Sequence, residues 1–129
     1  MLINGIEYGF CLTTEAGIKL AKLCPDGDIS KFGQLLDGKD YAKAAENLAA
    51  IAEILSEGYA NKELYDHGRT VPRLTKEELH GVIMHSTLFR YNEMNTEIVV
   101  TIIRDLVGEV DAEEKPGKTG KKDETGAGA

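Results

Sequence analysis

The sequence predicts a mainly α-helical small domain with an N-terminal β-hairpin and a flexible C-terminal tail. Three observations carry that expectation. Apolar residues recur at intervals of three and four over most of the chain, Asn4-Gly5 separates two short apolar runs at the start, and the apolar pattern stops at Gly108. Beyond it, "DAEEKPGKTGKKDETGAGA" is small or charged throughout and cannot bury enough apolar area to offset the ordering of its backbone. Residues 1–108 therefore read as one helical domain and 109–129 as a flexible charged tail.

A chain of 129 residues fits one domain, with a core modest enough that a partner can supply much of the stability. The net charge of −7 and pI near 5.0 disfavour a polyanionic partner, and no basic surface is concentrated anywhere along the chain. Nucleic acid is not an expected partner. Nor is a membrane, because Arg104 and Asp105 interrupt the last apolar stripe. With 2 cysteines, no secretory leader and no apolar run near the length of a span, the chain reads as a cytoplasmic protein whose cysteines stay thiols.

The hairpin turn rests on Asn4-Gly5, which suits positive backbone angles, and Ile6, Tyr8 and Phe10 share a face that needs covering. Thr13 or Thr14 then caps a helix whose stripe is Ala16, Leu20, Leu23 and Cys24, widened by Ile18 and Ala21. "CPDGD" is a helix stop, a turn and a new start, with Asp28 capping a short element that contains Ile29, Phe32, Leu35 and Leu36. From Asp40 the alanine-rich stretch traces a broad stripe through Tyr41, Ala44, Ala45, Leu48, Ile51, Ala52 and Leu55, and Gly58 should bend or end it before Tyr59, Leu64 and Tyr65. Thr75 and Glu78 form a capping box for the next helix. Residues 76–107 read as one long helix or as two bent around "HSTLF". The β-branched "IVVTII" suggests a strand, but the spacing of Met94, Ile98, Val99, Ile102, Ile103 and Leu106 favours a helix.

Chemistry-bearing patterns are thin. His80 and His85 lie roughly 140 degrees apart around a helix, which is not the spacing of a zinc pair. The acids near Cys24 lack the length and the closing glutamate of a calcium loop, and Cys24 has no nearby second ligand. Neither a nucleophile elbow nor a phosphate loop is present, so no catalytic, cofactor-binding or metal-ligating residue is assigned and no cofactor is expected. An enzyme built around His67, His80 or His85 is the weaker alternative.

The order of features resembles one family. "MLINGIEYGFCLTTEAGIKLAKLCPDGDISKF", the alanine-rich "YAKAAENLAAIAEILSEGY" and the connector into "PRLTKEEL" together resemble the tail assembly chaperones of long-tailed bacteriophages and prophages, best over residues 1–80. The resemblance implies a non-enzymatic protein of the bacterial host cytoplasm that binds the tape measure protein and helps tail tube protein assemble around it. On this expectation the binding surface lies on Tyr41, Leu48, Leu55, Tyr59, Met94, Ile98, Ile102 and Leu106, although the same residues also suffice as the core of a monomeric helical domain. The later segment "NEMNTEIVVTIIRDL" is more apolar than the family pattern, which points either to a homo-oligomer formed through the last helix or to that helix folding back on the body. Other readings of the same surface are a structural tail-completion or connector protein and a small regulatory interaction domain.

Overall fold

The computed structural model describes residues 1–108, and the tail expected over 109–129 lies outside the described residues. Strands β1 (Leu2–Ile3) and β2 (Ile6–Glu7) pair antiparallel, with Leu2 opposite Glu7 and Ile3 opposite Ile6. Asn4 and Gly5 between them take φ values of 52° and 82°, the two positive angles of a tight hairpin turn. Met1, Ile3, Tyr8 and Phe10 cover the core, whereas Ile6, next to the turn, stays 45% exposed. The Met1 ammonium lies 2.6 Å from Glu7 within the hairpin, and the hairpin is fastened to the body where the same ammonium meets Glu97 at 3.1 Å and where Arg90 donates to the Leu2 carbonyl at 2.9 Å.

Helix α1 (Thr14–Leu23) starts where the Thr13 hydroxyl accepts from the Ala16 amide, and it stops at Cys24 because Pro25 follows. Its buried stripe is narrower than its sequence suggests. Ala16 and Leu20 are buried and Cys24 closes the stripe, but Ile18 and Leu23 face outward. A 3₁₀ turn, Pro25–Gly27, leads into a 3₁₀ helix, Ile29–Leu36, that Asp28 caps through the Ser30 amide. Ile29, Phe32, Leu35 and Leu36 from this segment pack half-buried against the core.

Helix α2 (Tyr41–His67) is the axis of the fold. Asp40 caps its start through the Lys43 amide, and Gly68, at φ 64°, closes its end. Contrary to one side of the sequence expectation, Gly58 does not end it, and the helix continues to His67. The residue is glycine because the segment after the hairpin crosses α2 there: the Cys11 amide donates to the Leu55 carbonyl at 3.1 Å, and a Cβ at position 58 would stand 2.4 Å from the Cys11 carbonyl oxygen. Burial extends from Ala44 to Ala60 over several faces of α2, since neighbours surround it. Lys19 meets Glu57 and Asn61 meets Glu15, which sets α1 antiparallel to α2.

The chain returns along α2 through an extended connector. There the Leu74 amide donates to the buried Ser56 hydroxyl at 2.7 Å, and the Lys76 amide donates to Glu53. Helix α3 (Lys76–Met84) opens on the expected capping box of Thr75 and Glu78. Residues 76–107 form two helices. The break falls at His85–Thr87, where Thr87 caps α4 (Leu88–Val107) through the Arg90 amide, so "IVVTII" is helical. Helix α4 folds back on the body: Tyr91, Met94, Ile98 and Ile102 face inward, and near its far end Asp105 accepts from the Leu12 amide at 2.9 Å.

Candidate protein-binding groove

Three helix ends meet beside the first turn of α2. Tyr41 and Ala45 come from α2, Ile83 and Met84 from the end of α3, and Leu88 and Tyr91 from the first turn of α4. The small side chains of Ala42 and Ala45 leave the floor low, and the bend at His85–Thr87 holds the two later helices apart. The result is an apolar groove of about 300 Å³. Its rim is unusually apolar for a surface, with Tyr41 55%, Met84 56% and Leu88 63% exposed. The Tyr41 and Tyr91 rings meet edge-to-face with centroids 6.1 Å apart, which fixes one wall, and burial together with Tyr41 pushes the Tyr91 phenol up. An apolar lining of this kind can accept the side chains of an apolar helix or strand by shape.

Of the residues proposed from sequence as a binding surface, only Tyr41 lines this groove. Leu48, Leu55, Met94, Ile98 and Ile102 are each 0% exposed, so they belong to the core and offer no surface to a partner. The reason is that α2 and α4 pack their strongest apolar stripes against the rest of the chain, leaving none of those side chains for a partner. Tyr59 is half-buried beneath the hairpin exit, where a Cβ on Gly9 would stand 2.6 Å from its ring. Leu106 is 44% exposed, near the end of α4 and away from the groove residues in sequence. Met84 and Leu88 carried no sequence signal as rim residues, since each ends or begins a helix and the two meet only through the bend.

The charged clusters are occupied in structural work. In a polar hollow between α1, α2 and the connector, Glu57 bridges Lys19 at 2.6 Å and Arg73 at 3.4 Å. The Lys19 ammonium holds the Glu57 carboxyl below its usual range. Asp105 is also held low: burial works against this, but hydrogen bonds from Arg104 and the Leu12 amide outweigh it. Burial and the Asp105 charge push the Cys11 thiol up, the opposite of what a nucleophile needs. Among the described residues no group of three or more His, Cys, Asp or Glu side chains is placed to hold a metal ion, and no helix is long and apolar enough to cross a membrane.

A pH dependence follows from these depressed carboxyls, with which Asp28, held low by Ser30, and Asp66, held low by Lys62, act in the same direction. A carboxyl held low in the folded state contributes stability above its unfolded pKa and loses that contribution as pH falls through the folded value. The thermal midpoint should therefore be level from neutral to roughly pH 5 and fall below about pH 4, and Asp105→Asn should flatten part of that fall. Thermal melts by circular dichroism across that range check it.

Comparison of the chain with protein-family models, with curated proteins and with solved structures gave no match.

Proposed function

We propose that this chain is a non-enzymatic tail assembly chaperone of a long-tailed bacteriophage or prophage, acting in the host cytoplasm on the tape measure protein. The observation that carries the reading is the apolar groove with its exposed rim of Tyr41, Met84 and Leu88, on a chain whose net charge is −7. A tape measure chain exposes apolar helical stripes until the tube encloses it. A groove of this shape accepts one or two side chains of such a stripe, while the acidic body keeps the coated complex soluble. The contact area is small, so each site binds moderately and is replaceable by tail tube protein, as a chaperone that leaves the finished particle requires. The sequence resemblance over residues 1–80 supplies the class of partner, and the groove supplies a place to hold it.

Leu88→Asp tests the reading. Leu88 is the first residue of α4, where a carboxylate suits the helix dipole, so the fold should be unaffected. On co-expression with the tape measure protein, the unaltered chain should yield a soluble multi-copy complex by size-exclusion chromatography with light scattering. The variant should lose roughly 100-fold in affinity, the scale of a central apolar anchor. A tape measure protein that stays insoluble beside the unaltered chain would point instead to a structural or regulatory role.

A further inference from the structure

We propose that the outward face of α4 pairs antiparallel with the same helix of a second copy of this chain, making the protein a homodimer. Positions 89, 93, 96, 100, 103 and 107 are all exposed and lie on the side of α4 opposite its buried Met94, Ile98 and Ile102. Their spacing alternates four and three, the step pattern of a two-helix coiled-coil seam, and averages about 3.6 residues over this short stretch. The residues there are Phe89, Glu93, Thr96, Val100, Ile103 and Val107, so one helix carries apolar side chains on two opposite faces and only one of them is used within the chain.

The seam is self-complementary about its midpoint, position 98. An antiparallel pair in that register puts Phe89 against Val107, Glu93 against Ile103 and Thr96 against Val100, each contact occurring twice by the two-fold axis. These are the alternating layers that an antiparallel coiled coil requires. Charge decides the direction. A parallel pair would set Glu93 against Glu93, whereas the antiparallel pair keeps the two Glu93 carboxylates apart, each beside its own Arg90 at 3.6 Å. Phe89, Arg90, Asn92, Glu93, Thr96 and Glu97 border a shallow depression, and its Phe89 and Thr96 side receives Ile103 and Val107 of the other chain. Val99 and Leu106 broaden the apolar strip along one flank. In this chain, residues 109–129 are a poor match for the strip, because Val110 is their one large apolar residue.

A 20-residue helix is about 30 Å long, and pairing along that length buries on the order of 1,000 Å² in total, the lower edge of a stable interface. A dimer of micromolar affinity is expected. The inference uses different side chains from the groove and stands whether or not the tape measure reading holds.

Sedimentation equilibrium of the full chain, from low micromolar to near millimolar, should show the mass rising toward twice 14.1 kDa. Val100→Asp, which places a carboxylate near the centre on both chains, should weaken association at least ~100-fold with the helical signal unchanged. Direction is read by mixing Thr96→Cys with Val100→Cys and mapping the oxidised product. A cross-link joining position 96 to position 100 is expected, and one joining 96 to 96 or 100 to 100 overturns the antiparallel pairing. A monomer at every concentration, or a dimer that Val100→Asp leaves intact, overturns the proposal; if Val100→Asp fails to fold, the cross-link map decides alone.

Discussion

Ile98→Asp should unfold the protein, while Ile103→Asp, five residues further along the same helix, should leave it folded. Ile98 is 0% exposed in the central cluster with Met94 and Ile102, whereas Ile103 is 49% exposed on the opposite face. A carboxylate at position 98 has no partner and must either stay charged in an apolar core or take up a proton, and its apolar side chain is lost as well. The expected cost exceeds about 4 kcal/mol, a large part of the 5–15 kcal/mol that holds a typical domain together. At position 103 the charge meets water in the single chain, so at concentrations below those at which copies pair the fold should change by less than about 0.5 kcal/mol. Far-ultraviolet circular dichroism and urea titration separate the two. Folded behaviour of Ile98→Asp would return that residue to the surface and contradict the packing of α4.

Gly58→Ala should destabilise by about 3 kcal/mol, opposite in sign to the usual effect of that exchange in a helix. Alanine inside an exposed helix is better than glycine by up to about 1 kcal/mol. Here the added methyl would stand 2.4 Å from the Cys11 carbonyl oxygen and 3.3 Å from the Ala16 Cβ, so two backbone segments have to separate. Separation also strains the hydrogen bond from the Cys11 amide to Leu55 and loosens the start of α1, which Thr13 caps nearby. The thermal midpoint should fall by roughly 10 °C. A rise in midpoint would mean that the crossing is looser than its geometry.

Both expectations turn on contacts that sequence spacing cannot show. The periodicity of Met94, Ile98 and Ile102 identifies a helix face that wants cover, but it is silent on whether the cover is the same chain or another one. The structure resolves this for the inner face of α4, where α2 and the segment after the hairpin provide the cover. Gly58 reads in sequence as a helix breaker because its propensity is poor, and only the crossing of the segment after the hairpin explains it as a point of close approach. The groove was less legible still. Its residues come from three segments brought together by the bend at His85–Thr87, and neither Met84 nor Leu88 stands out beside its own neighbours.

What the sequence determined by itself are the local decisions. Asn4-Gly5 makes the turn, Asp28, Asp40 and Thr75 start their elements, and Pro25 stops one. Each of these is settled by hydrogen bonds or backbone angles within a few residues, so neighbours in sequence suffice. What only the tertiary structure decided is which apolar face is spent inside: that Leu48, Leu55, Met94, Ile98 and Ile102 make the core, and that Tyr41, Met84, Leu88 and the outer stripe of α4 are left facing water. Burial is non-directional and depends on everything that packs nearby, so it is a property of the assembled chain and not of any short stretch of it.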